Sequence, residues 1–139
     1  LKFHYSKTSK RRLYTCEFDI QQVMREALAM GIIDITIVCG QRGKAKQDEY
    51  YYGRPQRSRV PYPKSKHNKE PLSDAVDAAP YVNGKLSRNF NHCCVLAGVV
   101  LACAKKLGIP IRWGGNWDMD GEPITDQDFQ DLYHYERVK

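Results

Sequence analysis

Residues 75–80 read AVDAAP, an apolar, strand-like run with a single carboxylate, Asp77, at its centre and a proline that stops it. Such a run is expected to be buried. A carboxylate buried without a partner costs several kcal/mol, so Asp77 must be neutralised, paired with a cation or bound to a metal. Upstream, His67 ends a basic, proline-broken segment and offers an imidazole to the same place. Zinc suits such a pair, but a catalytic zinc site ordinarily takes three protein ligands and keeps one position for water. The third candidate lies near the end of the chain, in DLYHYE at residues 131–136, where His134 follows three residues after Asp131, a carboxylate suited to general-base work. Strand alternation there puts His134 and Glu136 on one face and Tyr133 and Tyr135 on the other. Glu136 is therefore either a group that orients the imidazole or a solvent-facing charge. Taken singly, the others also have ordinary readings: a solvated histidine, a turn aspartate.

At 139 residues the chain suits a single domain, residues 1–139, with one core. A mean hydropathy of -0.61, and no apolar run approaching the roughly 20 residues of a spanning helix, argue against a membrane protein. Residues 1–14 are basic, with no apolar stretch behind them and no small-residue cleavage site, so a secretory signal is not expected. Lys and Arg outnumber Asp and Glu by 22 to 16, and the resulting +6 favours attraction to a polyanion. The basic cluster Lys10-Arg11-Arg12 sits in no nucleic-acid-binding motif, so no nucleic-acid partner is expected. Five cysteines, an odd number without metal-knuckle spacing, point to free buried thiols.

In chain order, residues 18–30 carry apolar positions at helical spacing up to Gly31, and residues 32–39 are β-branched and strand-like, ended by Gly40. Residues 41–52 suggest a short helix, and residues 54–66 a loop that delivers His67. A strand over 75–79, a hairpin at Asn83-Gly84, a core helix over 91–107 that is apolar nearly all round, and strands over 109–113 and 133–138 complete the pattern. Residues 114–128 form a polar loop. Helices and strands mix without βαβ alternation, so the expected class is α+β with a small antiparallel or mixed sheet and helices packed on one side.

Four separated motifs occur in order: S-x-H at 65–67, A-V-D-x-x-P at 75–80, L-G-I-x-I-R-W-G-G at 107–115 and D-x-x-H-x-E at 131–136. Together they resemble the zinc peptidases related to D-Ala-D-Ala carboxypeptidases and, within these, the phage L-alanyl-D-glutamate endolysins. The resemblance implies the Hedgehog/DD-peptidase fold, with His67, Asp77 and His134 as zinc ligands and Asp131 as the catalytic carboxylate. Asp74 is a less favoured substitute for Asp77. Arg42, in the turn after a buried strand, resembles the arginine that the family places over the substrate carbonyl; its alternative is a solvated side chain. Ser65 would contact substrate or shape its loop. The implied function is hydrolysis of the peptide stem of bacterial peptidoglycan during host lysis. The alternatives are a D-Ala-D-Ala carboxypeptidase and a non-catalytic peptidoglycan-binding module. A monomer is expected, made in the infected bacterial cytoplasm and acting at the wall after holin-type release.

A second metal reading concerns residues 116–121, NWDMDG, where Asn116, Asp118 and Asp120 resemble the first half of a calcium loop. The twelfth position is Gln127 rather than an acid, so a plain acidic turn is the alternative.

Overall fold

Ser6 opens the first helix: its hydroxyl accepts from Ser9 N at 3.1 Å, starting α1 (Lys7–Leu13). The basic composition of this stretch hides the helix from sequence, because the residues that anchor it, Ser9 and Leu13, are buried by contacts distant in the chain. In the computed structural model, which describes residues 2–138, Ser9 Oγ accepts from Ile37 N at 3.0 Å and so ties α1 to β1 (Ile35–Cys39). Lys10, Arg11 and Arg12 fall in the last turn of α1, where positive charge favours the helix dipole.

The helix α2 (Phe18–Ala29) buries Ile20, Val23, Met24, Ala27 and Leu28 along one stripe and ends before Gly31, whose φ is 69°. A third helix, α3 (Lys44–Tyr52), follows β1. Then come β2 (Ala75–Val82), β3 (Lys85–Leu86), α4 (Phe90–Leu107), β4 (Ile111–Gly114) and β5 (Asp131–Arg137). The sheet is antiparallel in the order β1-β2-β5-β4, with β3 folded back on β2. The α+β class and the antiparallel sheet are as expected.

The strands differ from expectation at their ends: β1 begins at Ile35 rather than residue 32, β4 runs over Ile111–Gly114 rather than 109–113, and β2 and β5 differ as well. β2 does not stop at Pro80 but runs through it to Val82. Tyr81 N donates to Asp34 O at 2.9 Å on the β1 side, so the nitrogen of Pro80 faces the other side, beyond the last β5 partner at Asp77. On that side the Pro80 carbonyl accepts from Ser87 N at 2.8 Å, and the Ser87 carbonyl, which has no Pro80 N–H to accept from, accepts from Tyr133 OH at 2.7 Å instead. β5 begins two residues earlier than its sequence suggests, at Asp131, so this acid is a strand residue rather than a turn residue. The expected hairpin is present, with Asn83 and Gly84 both at positive φ, 54° and 77°.

Alternation along β2 sends Val76 and Ala78 into a core shared with α2, α4, Ile37, Trp113 and Tyr135. Asp77 is thereby turned to the opposite face. α4 is capped by Asn89, whose side chain accepts from Asn91 N and His92 N, and it ends at Gly108 with φ 73°. Leu96, Ala97, Val100, Cys103 and Ala104 form its buried face. Its other face is not core: Val95 is 48% exposed, beside the exposed Met30 and Ile32, because no further layer covers the helix there. All five cysteines are free.

Gly40 is among the most closely packed glycines. A Cβ there would stand 2.1 Å from Thr15 Oγ1 and 2.4 Å from the Arg12 carbonyl oxygen, whereas one at Gly98, exposed in α4, meets nothing within 4 Å. Gly40→Ala should therefore lower stability by about 1–3 kcal/mol, and Gly98→Ala should raise it by about 0.5–1 kcal/mol. Denaturant midpoints of the two variants check both signs.

Candidate metal centre

Three separate elements converge on the open face of the sheet. Asp77 on β2 and His134 on β5 are cross-strand partners, so register alone brings them together. His67 arrives on a single 3₁₀ turn, Lys66–Asn68. Ser65 Oγ accepts from His67 N at 3.2 Å, and Asn68 Oδ1 accepts from Ser65 N at 3.0 Å, closing that turn from both ends. Ser65 thus shapes the loop.

The donor atoms meet as a triangle. His67 Nε2 stands 3.2 Å from Asp77 Oδ1 and 3.2 Å from His134 Nδ1, and His134 Nδ1 stands 3.3 Å from Asp77 Oδ1. Two donors at about 2.0–2.1 Å from one tetrahedral ion are themselves about 3.3–3.4 Å apart. The outer nitrogens are pinned: His67 Nδ1 lies 2.7 Å from Gly40 O, and His134 Nε2 lies 2.7 Å from Glu136 Oε1. Each outer N–H donates outward, so both free lone pairs point to the same centre as Asp77 Oδ1. The residues present therefore fit a small divalent cation with mixed nitrogen and oxygen ligands. Asp74, the substitute for Asp77, is directed elsewhere and pairs with Arg137 Nε at 3.1 Å.

Electrostatics agrees with the geometry. Burial works against charge on His67, yet the Asp77 carboxylate beside it pushes its pKa up to about 10. Burial would likewise raise Asp77, but the imidazoles hold it well below the ordinary carboxylate range. Glu136 is buried but drawn down to about 2 by His134 and by Arg112, whose Nη2 donates at 2.5 Å.

Arg42 is 5% exposed, which excludes the solvated reading. Its Nη2 lies 3.4 Å from Asp77 Oδ2, Nη1 donates to Gln47 Oε1 at 2.8 Å, and Nε has no partner. The guanidinium also lies 4.4 Å over the Tyr50 ring. Asp131 lines the same cleft, of about 360 Å³, as His67, Asp77, His134 and Glu136. Burial and the nearby Asp77 charge raise its carboxyl above the usual range.

Two members of the site are missing from the sequence reading. Cys39 pairs with Asp77 across β1 and β2, and its Sγ lies within 4.8 Å of donor atoms of His67 and Asp77. Burial opposes its ionisation, but His67 and Arg42 bring its thiol below the usual value. Gln47, fully buried in a polar helix, holds Arg42 and also donates to Ser58 Oγ at 2.8 Å and Val60 O at 2.7 Å. A period-two reading of 35–39 placed near Asp77 could have raised Cys39; nothing local marks Gln47.

The calcium candidates are rearranged. Asp118 and Asp120 do approach each other, but the third carboxylate is Asp126, not the Asn116 side chain. Asn116 instead donates through Nδ2 to Asp120 O at 2.8 Å.

A family model described as phage L-alanyl-D-glutamate peptidase matches residues 1–138. The L-alanyl-D-glutamate peptidase of Escherichia phage T5 is 32% identical over 123 residues, covering 88% of this chain and 87% of that protein. Among solved structures, the L-Ala D-Glu endopeptidase ChiX of Serratia marcescens superposes with a TM-score of 0.75 at 22% identity, covering 97% of this chain and 90% of that one, which is a likeness of fold.

Because His67 holds its proton up to about pH 10 in the metal-free chain, a bound cation must displace that proton. Affinity for a divalent ion should rise with pH across the neutral range and level off near that value, as read by competition with a chelating dye. Glu136→Gln should weaken the affinity about 10–100-fold without unfolding the chain.

Proposed function

The chain belongs to the phage L-alanyl-D-glutamate peptidase family, and we propose that it is a zinc endopeptidase cutting the peptide stem of bacterial peptidoglycan, an endolysin that lyses the host. The observation that carries this reading is the triangle of His67 Nε2, Asp77 Oδ1 and His134 Nδ1, each 3.2–3.3 Å from the next, with Asp131, a carboxylate that has no ion pair among the described residues, in the same cleft. A module that only bound peptidoglycan would have no use for that carboxylate.

Zinc held by those three atoms would polarise the scissile carbonyl and make a water acidic near neutral pH. Asp131 takes the proton of the attacking water as the new C–O bond forms, and it returns that proton to the nitrogen as the C–N bond breaks. Its position at the head of β5, in the strand that carries His134, fixes the distance between base and ligand. Arg42 holds the outer oxygen of Asp77 and brings positive charge to the side of the cleft where the oxyanion develops. Glu136 keeps His134 in the tautomer that leaves Nδ1 free.

The base must be ionised to work, and its pKa is raised. Turnover should therefore fall as pH falls through a midpoint above the ordinary carboxylate range. Asp131→Asn should remove that limb and cost about 10²–10⁴ in turnover, while zinc content stays near one per chain by metal analysis. Loss of zinc from this variant would make Asp131 a ligand instead. Digestion of purified peptidoglycan followed by mass spectrometry should give fragments with a new N-terminal D-Glu; released D-Ala would assign a carboxypeptidase.

The +6 charge should matter for reaching an anionic wall and not for the chemistry. Cleavage of intact wall should weaken as salt rises, since screening acts within about 8 Å at physiological ionic strength, while cleavage of a soluble muropeptide should change little. In the loop, Asp118, Asp120 and Asp126 are the group to test with calcium, by the fluorescence of the neighbouring Trp117.

A further inference from the structure

The cleft is far more basic than its chemistry requires. Arg42 and Arg112 are committed to Asp77 and Glu136, and Lys66 Nζ lies 3.5 Å from Glu136 Oε2. Arg57, Arg59 and Lys64 also line the cleft and have no carboxylate partner among the described residues.

Two of these three, though exposed, lie against aromatic rings. Arg59 lies 4.2 Å over the ring of Phe129, which is stacked at 6.0 Å and 6° on Trp117, itself 5.7 Å from the His134 ring. The guanidinium thus sits at the end of an aromatic wall that begins at a metal-centre imidazole. Arg57 lies 5.5 Å from the centre of the Tyr50 ring, which Arg42 also approaches, at 4.4 Å. Their loop is tied down as well: Arg57 N and Ser58 N both donate to Tyr50 O, at 2.8 and 3.1 Å, and the buried Gln47 holds Ser58 and Val60. A loop whose arginines served solubility alone would need neither the aromatic platforms nor a buried anchor.

We infer that Arg57 and Arg59 form an anion clamp that selects stem peptides whose glutamate carries a free carboxylate over those in which it is amidated. The inference rests on the peptidase reading. Cutting an L-alanyl-D-glutamate bond frees the amine of a residue with two carboxyl groups, only one of which can continue the stem. The other stands beside the scissile bond as a carboxylate or as its amide. A pre-oriented guanidinium fork binds the carboxylate through paired, charge-assisted hydrogen bonds and gains much less from the neutral amide.

The test uses the zinc-loaded protein with two soluble muropeptides that differ only in that carboxyl group, free or amidated. The wild type should favour the free acid by about tenfold or more in kcat/KM, mainly through KM. Arg57→Gln and Arg59→Gln should each shrink that ratio severalfold. Lys10→Gln, in α1 and away from the cleft, removes the same unit of charge and should leave the ratio as it is. A purely structural role for the loop would slow both substrates equally, so an unchanged ratio in the arginine variants overturns the clamp. Equal cleavage of both muropeptides by the wild type overturns it too and leaves the peptidase standing. Failure to cut either muropeptide or purified peptidoglycan removes the peptidase reading and the clamp with it.

Discussion

Taking the Asp77 carboxylate out of water costs several kcal/mol unless its oxygens are occupied, and the surroundings of β2 are arranged to occupy them. One oxygen faces His67 and His134, and the other faces Arg42. Each partner is itself held from behind: His67 by the Gly40 carbonyl, His134 by Glu136, Arg42 by Gln47. The supports reach further still, since Gly40 lies against Arg12, Thr15 and Cys16, and Glu136 is held by Arg112. One largely buried charge is thus linked through its partners to the packing of α1, the conformation after β1, the capped turn at residues 66–68 and the pairing of β5 with β2. A half-satisfied network of this kind would be worse than an apolar core, which explains why the centre is enclosed by groups that make two or more polar contacts each.

How much of this could be read in the sequence depended on the range of the interaction. Asp77, His67 and His134 stood out because each interrupts a local pattern, a charge in an apolar run or an imidazole beside alternating tyrosines. The hairpin at Asn83-Gly84 and the ends of α2 and α4 were equally local, set by φ angles that glycine and asparagine tolerate. What stayed hidden depends on contacts across the chain. Gln47 looks like any polar residue of a polar helix, and only the return of residues 58–60 against α3 buries it. Arg42 stands out only through the family resemblance; by its own neighbours it is one more cation in a basic stretch until Asp77 arrives 35 residues later. Pro80 reads as a strand terminator because the sequence does not show that β5 ends its pairing before reaching it. α4 reads as wholly buried because apolar composition does not reveal how many layers the fold stacks on it.

The cleft joins two walls of different origin. One is the loop of residues 54–65, held to α3 by Gln47 and by the Tyr50 carbonyl. The other is the loop of residues 115–130, in which Gln127 accepts from Trp117 N and donates to Gly114 O, so one side chain does much of the work of ordering it. Arg59 over Phe129 is where the walls touch. Neither wall is built on the strands that carry the ligands, so substrate preference can change by loop substitution while the register of Asp77 against His134 stays as it is.

The strand order carries a consequence for how the molecule comes into being. β5 follows every other strand in the chain, yet it lies inside the sheet, between β2 and β4. β4 has no partner among the strands except β5, and β2 has only β1 and β3 until β5 arrives. A chain emerging from the ribosome therefore carries two of the three converging donor groups, His67 and Asp77, and a divided sheet until residues 131–137 are free. The step that closes the sheet also delivers His134 and Asp131. The triangle of His67, Asp77 and His134 is thus absent from any chain that stops short of β5 and is completed in the same step as the sheet.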